Sequence, residues 1–177
     1  MIDCIAWFVF AFTILQLITA LANLILNSKL PVGSINNGPL VSVLIPARDE
    51  EKNIGNILDD ILRQDYPCFE VIVFNDQSSD RTVEIINNYI ASDKRISLVN
   101  SQSLPAEWLG KNWACHSMSA LARGEFLLFL DADVRISNVV IVNAISYAKR
   151  YNLALVTIFP LQIIKTLGEK ITVPVMN

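Results

Sequence analysis

The sequence predicts an α/β domain with a mostly parallel sheet covered by helices on both faces, preceded by one membrane-spanning helix. Short apolar runs alternate with stretches whose apolar residues recur at helical spacing, the order that builds such sheets. Acidic residues gather directly after the apolar runs. From Cys4 to Ser28 there is no charged residue at all.

The uncharged run, Ile5 to Asn27, is long enough to cross a bilayer, which takes about 20 mostly apolar residues. Trp7 lies near one end, where an interfacial aromatic is expected. Asp3 and the lack of Lys or Arg ahead of the run argue for an uncleaved anchor over a signal peptide. Lys29 follows the run and, by the positive-inside tendency, places the following domain in the cytoplasm of a cell-membrane protein. Residues 1–29 are therefore read as the anchor. Residues 30–40, with Pro31, Gly33, Gly38 and Pro39, are read as a linker.

Val41–Ile45 reads as the first buried strand. Ile54, Ile57, Leu58, Ile61 and Leu62 then form one helical stripe, closed by Pro67. Val71–Phe74 is the second strand; Ser78 or Ser79 caps a helix that turns Val83, Ile86 and Ile90 inward. Ile96–Val99 is a third strand. Lys111–Ala122 is a helix with Ala114, Met118, Leu121 and Ala122 inward, ended by Gly124 as a C′ glycine. Phe126–Leu130 is the most apolar strand, with Phe126 and Phe129 in the core. Ser137 caps a helix aligning Ile141, Ala144, Ile145 and Ala148, and Leu153–Ile158 is the last strand.

Composition excludes several functions. The formal net charge is −3 over 177 residues, so there is no basic footprint for nucleic acid. Cys4, Cys68 and Cys115 are odd in number and far apart, and His116 is the only histidine. Neither a disulfide framework nor a zinc site fits. His116 has no Ser or Cys partner for a triad and is read as a polar-face residue; Cys115 is read as packing.

In parallel α/β sheets, ligands bind beyond the carboxyl ends of the strands. Pro46-Ala47-Arg48-Asp49-Glu50-Glu51, Asn75-Asp76 and Asp131-Ala132-Asp133 all fall there. Asp131 and Asp133, with a small residue between them, can both reach one hard cation, Mg²⁺ or Mn²⁺, shared with substrate phosphates. Such an ion neutralises the charge developing on a leaving diphosphate. Asp76 can accept from a base imide or a ribose hydroxyl, or simply serve the helix entry with its neighbours. Asp49 and Glu51 suit the helix dipole, while Arg48 and Glu50 remain as nucleotide contacts. Lys111 opens a helix, where its charge opposes the dipole; an anionic phosphate would explain it.

VSVLIPARDEEKNI, VIVFNDQSSDRT and FLLFLDADV, in this order, resemble family 2 glycosyltransferases of the GT-A fold. The similarity covers Val41 to about Pro160. WLGKNWA and Phe159-Pro160 look closest to the membrane-bound subgroup that glycosylates carotenoid- and hopanoid-type lipids. The resemblance implies a nucleotide-sugar donor, usually UDP-linked, inversion at the anomeric carbon, and a lipid as one acceptor. It implies that Pro46, Ala47, Arg48 and Glu50 line the nucleoside pocket and that Asp76 binds the base. Lys111 would lie near the phosphates, Asp131 would approach the ribose or sugar beside Ala132, and Asp133 would hold the metal.

The resemblance also implies a general base well downstream of Asp133, able to deprotonate the acceptor. The only later acid is Glu169, in residues 161–177, which read as an amphipathic interfacial segment. Residues 41–160 are thus expected to be the nucleotide-sugar-binding half of a longer enzyme, with the base beyond Asn177. Two other readings stand beside it. A nucleotidyltransferase would want a Gly-rich, basic first loop where this chain has acids. A tethered, non-catalytic nucleotide-sugar-binding remnant would share every motif.

Overall fold

Four short parallel strands make the frame. The computed structural model describes residues 2–25, 30–35, 38–101 and 105–158. The chain divides into two compact units, Met1–Pro31 and Val32–Asn177. The first holds α1, Ile2–Ile25. Within it Ile5–Ala22 is long and apolar enough to cross a membrane, with a mean hydropathy of 2.2. Its two threonine hydroxyls are satisfied locally: Thr13 and Thr19 donate to the carbonyls of Val9 and Leu15.

In the second unit the elements run β1 (Val41–Ala47), α2 (Ile54–Leu62), β2 (Phe69–Asn75), α3 (Thr82–Ser92), β3 (Ile96–Asn100), α4 (Gly110–Leu121), β4 (Phe126–Phe129) and α5 (Val140–Tyr151). The sheet order is β3-β2-β1-β4, every pair parallel. After β3 the chain returns past β1, so the order reverses at β1, the kind of point where such sheets open a ligand crevice. β1 and β2 are buried almost throughout, as central strands with near-continuous apolar sequence should be.

The sheet's two faces differ. On one, Val41, Val43, Ile45, Val71 and Val73 meet Ile54, Ile57, Leu58 and Ile61 of α2, Ile86 of α3, and Ile141 and Ile145 of α5. On the other, Leu44, Ile72 and Phe74 meet Ala114 and Met118 of α4. Among the described residues only one helix serves this second face, and it lies over β1 and β2. Among the described residues β4 is an edge strand, and Leu127 and Phe129, in register with Ser42 and Leu44, are 42% and 47% exposed. The expectation that Phe129 is a core residue is therefore corrected.

Other local expectations change for equally specific reasons. Leu153–Ile158 forms no strand: it follows α5 beside β4, lining an apolar cleft with Phe126–Phe129, without joining the ladder. Leu121 is exposed. Gly124 is not a left-handed cap, since no glycine has positive φ among the described residues. It is small because β1 is close: a Cβ there would stand 2.6 Å from the Ser42 nitrogen and 2.9 Å from the Leu40 oxygen. Neither Ser78 nor Ser79 caps α3; the Asp80 carboxylate accepts from the Thr82 amide at 2.9 Å. Ser137 does not cap α5 with its side chain; Gln64 Oε1, just past the end of α2, takes the Ile141 N–H.

Within this unit two residues of the linker region are bonded to the domain. The Gly33 N–H donates to Asn143 Oδ1 at 2.8 Å, and the Tyr66 hydroxyl donates to the Pro39 carbonyl. Lys29 and residues 159–177, including Glu169, lie outside the described residues.

Candidate active site

β1, β2 and β4 all stop at the same edge of the sheet, and the residues that follow them face one another. β1 ends in Pro46-Ala47, β2 in Asn75, and β4 leads through Leu130 into Asp131. The edge is held together by backbone bonds: the Asp76 N–H donates to the Ala47 carbonyl at 2.9 Å and Leu130 to Leu44 at 3.0 Å. An open cleft of about 380 Å³ results. Pro46, Ala47, Arg48, Glu50, Asp76, Lys111, Asp131, Ala132 and Asp133 all line it, so every donor-site residue named from the sequence reaches the same space. Gly110 and Ala114 line it too. They were not singled out, although both belong to the same helix start as Lys111. Gly110 leaves room for Asp76, whose Oδ2 would be 3.4 Å from a Cβ at that position.

The loops after β1 and β2 are clasped together. Asp49 and Gln77 both adopt left-handed backbone, at φ 53 and 56, which is uncommon for residues with a side chain. The Asp49 N–H donates to Ser78 Oγ at 3.1 Å, and its carboxylate accepts from the Ser79 N–H at 2.7 Å. Glu50 N–H donates to Thr82 Oγ1 and Glu51 N–H to Asp80 Oδ2. The Glu51 carboxylate returns the bond by accepting from the Arg81 N–H. Asp49 and Glu51 thus satisfy amides of the neighbouring loop, a role beyond the helix-dipole one expected of them. The clasp leaves Arg48 and Asp76 on the cleft side, where the guanidinium stands 3.6 Å from Asp76 Oδ2.

The opposite wall is a turn. The Asp131 carbonyl accepts from the Val134 N–H at 3.5 Å. Ala132 is buried in the core, only 5% exposed, so it anchors the turn while Asp131 and Asp133 stay exposed on either side of it. Lys111, from the first turn of α4, donates to Asp131 Oδ1 at 2.6 Å. That bond, more than any other influence, raises the Lys111 pKa above the usual lysine value.

The donor set fits a hard divalent cation. Asp131 already carries a positive group, and carboxylates are the ligands Mg²⁺ and Mn²⁺ prefer. Among the described residues no three His, Cys, Asp or Glu side chains converge. The described residues therefore offer two carboxylates at most, and phosphate oxygens and water would complete the shell.

Cys115 lies one helical turn after Lys111, and burial raises its pKa, the opposite of an activated thiol. His116 is exposed and packs with Trp108 and Trp113, at 5.0 Å and 5.7 Å between ring centroids.

Comparison with known proteins decides the family. The sequence profile of glycosyl transferase family 2 matches residues 42–171. The chain belongs to this family. A 4,4'-diaponeurosporenoate glycosyltransferase of Staphylococcus haemolyticus is 34% identical over 126 residues, which is 70% of this chain and 32% of that protein. Its counterpart from Staphylococcus aureus is 37% identical over 98 residues, 55% of this chain and 25% of that protein. The chain thus spans between a quarter and a third of the length of these curated relatives.

Solved structures agree on the fold, which is GT-A-like. The mannosyltransferase PcManGT from Pyrobaculum calidifontis, in complex with GDP-Man and Mn²⁺, superimposes with a TM-score of 0.64 at 27% identity, over 81% of this chain and 42% of that one. TarS of S. aureus, in complex with UDP-GlcNAc, gives 0.52 at 29% identity, over 63% of this chain and 32% of that one.

Proposed function

We propose that this family 2 glycosyltransferase chain binds a nucleotide-sugar donor, UDP-linked, in the cleft beyond β1, β2 and β4. The donor's sugar would pass with inversion to an acceptor hydroxyl or carboxyl, and a lipid is the acceptor class proposed. The observation that carries the reading is the convergence, on one cleft, of side chains separated by up to 87 positions, between Pro46 and Asp133. Three of its elements have matching chemistry: an Arg–Asp pair at one wall, a lysine at a helix start, and two carboxylates on one turn.

In this reading Pro46, Ala47, Arg48 and Glu50 enclose the nucleoside and Asp76 accepts from its base. Lys111 exchanges Asp131 for a phosphate oxygen when the diphosphate arrives. Asp131 and Asp133 hold a divalent cation, which when bound offsets the negative charge growing on the leaving diphosphate. Ala132, locked in the core, keeps both carboxylates aimed at that position. The reading is supported by the donors named for the solved relatives, UDP-GlcNAc and GDP-Man, the latter with Mn²⁺. The lipid acceptor is supported by the names of the curated relatives and by the apolar α1, which we read as a membrane anchor.

The test is calorimetric titration of the full chain, in detergent micelles, with UDP-glucose in Mn²⁺ and again in EDTA. Binding in Mn²⁺ that disappears in EDTA and in an Asp131→Ala/Asp133→Ala variant is expected. A folded wild-type chain that binds neither UDP-glucose, UDP-GlcNAc nor GDP-mannose in Mn²⁺ would overturn the reading.

A further inference from the structure

Asp60 lies in α2, outside the cleft, and is 6% exposed. Its carboxylate is gripped from the segment that follows the Asp131–Asp133 turn. Arg135 Nε donates to Oδ2 at 2.6 Å and Nη2 to Oδ1 at 2.8 Å, a bidentate pair. Oδ2 also accepts from the backbone N–H of Ile136, at 3.2 Å. Just past the end of α2 the same segment is held again: Gln64 Nε2 donates to the Ser137 carbonyl at 2.7 Å, and the Asp65 N–H donates to the Asn138 carbonyl at 2.8 Å.

The turn therefore has two fixed ends. Upstream, β4 is laddered to β1. Downstream, the chain is tied to α2 by a buried carboxylate, which is costly to leave unpaired. Neither Asp60 nor Arg135 lines the cleft; the backbone between Asp133 and Arg135 joins them to it.

We propose that Asp60 is a positioning residue: through Arg135 and the Ile136 amide it sets where the Asp131 and Asp133 carboxylates point. This rests on reading those carboxylates as the metal–diphosphate site. Mg²⁺ and Mn²⁺ tolerate little misplacement of their ligands, and groups behind the ligands commonly control affinity.

The test compares four forms of the full chain in detergent micelles: wild type, Asp60→Asn, Asp60→Leu/Arg135→Met, and Ile86→Val. The last removes a buried methylene in α3, a helix that packs against α2 and β3. Two quantities are read: amide hydrogen exchange across residues 131–136 without metal, and Mn²⁺ affinity in the presence of UDP. Asp60→Asn is expected to speed exchange there and weaken Mn²⁺ by roughly tenfold or more. The double variant, whose apolar pair can restore stability, should recover melting temperature but not Mn²⁺ affinity. Ile86→Val should lose melting temperature alone. Unchanged exchange in Asp60→Asn overturns the proposal, as does faster exchange with wild-type Mn²⁺ affinity. A wild type that binds no Mn²⁺ with UDP defeats the donor-site reading instead, and exchange then decides alone whether Asp60 holds the turn.

Discussion

Lys111 donates to Asp131 across 2.6 Å, joining the first turn of α4 to the end of β4. Both side chains are more than half exposed, so the pair contributes little to folding; exposed pairs are worth about 0.2–1 kcal/mol. Its consequence is competition. A cation approaching Asp131 must displace the ammonium or share the carboxylate with it. Lys111→Met should therefore tighten Mn²⁺ binding without nucleotide by up to about fivefold, the upper end of that energy. The same variant should weaken UDP-glucose binding in Mn²⁺ by about tenfold or more, since a charged hydrogen bond to phosphate is worth about 1.5–3 kcal/mol. Isothermal titration of both ligands checks the opposite signs; a change of the same sign in both would sink the competition argument.

Acid should unfold the domain through two buried carboxylates. At Glu70 burial alone would raise the pKa, but the Ser42 hydroxyl and the amide and guanidinium of Arg123 outweigh it, so the net shift is downward. At Asp60 the bond from Arg135 dominates and the shift is again downward. Groups that hold protons more weakly when folded stabilise the fold above their unfolded pKa, about 4. That stability is lost as pH falls through the folded values. The melting temperature should be flat near neutrality and decline below about pH 4. Glu70→Gln should start lower and decline less steeply. Parallel pH profiles for the two forms would show that Glu70 does not drive the acid transition.

Gly124→Ala should lower stability by about 1–3 kcal/mol, the cost of forcing an extra methyl into a packed site. The obstacle is backbone, the Ser42 nitrogen and Leu40 oxygen, which cannot rotate aside. The Gly124 N–H also donates to Ser42 Oγ, whose hydroxyl serves Glu70. A shift there therefore disturbs the buried network as well. Chemical denaturation checks it, and a loss below about 0.5 kcal/mol would mean that β4 moves freely against β1, as ordinary surface substitutions allow.

What was legible in the sequence follows from the range over which each cause acts. β1, β2 and the stripes of α2 and α3 are written in local patterns, so their positions were readable. The cleft-lining residues named from the sequence, Lys111 apart, were readable as a group because they stand at or just after the end of an apolar strand, and parallel strands bring those ends together; Lys111 was readable as a cation at a helix start. The causes that failed to show are all distant in sequence. The N-terminus of α5 is satisfied by Gln64, 77 residues upstream, so Ser137 looked like the cap. Gly124 looked like a helix stop because its neighbour Ser42 lies 82 residues away. Phe129 looked buried because hydrophobicity alone does not tell an edge strand from a central one. Gly110 and Ala114 carry no charge to draw attention, and only the packing of α4 against the strand ends brings them to the cleft.

The clasp between the β1 and β2 loops should matter more for binding than for folding. Asp49 is exposed and sits at φ 53, where a residue with a Cβ is strained and glycine is not. Its carboxylate satisfies the Ser79 N–H and hydroxyl, at 2.7 and 3.2 Å, and nothing else in the loop replaces it. Asp49→Gly removes the carboxylate but relaxes the backbone, whereas Asp49→Ala removes it and keeps the strain. The two variants should therefore differ in stability by about 1 kcal/mol, with alanine the worse. Both should lose several-fold in UDP-glucose affinity, because Arg48 and Glu50 flank Asp49 and are aimed by the same loop. Denaturation and titration on the same preparations separate the effects. Equal stabilities would show that the left-handed geometry carries no strain, and undiminished affinity in both would show that the loops keep their alignment without the clasp.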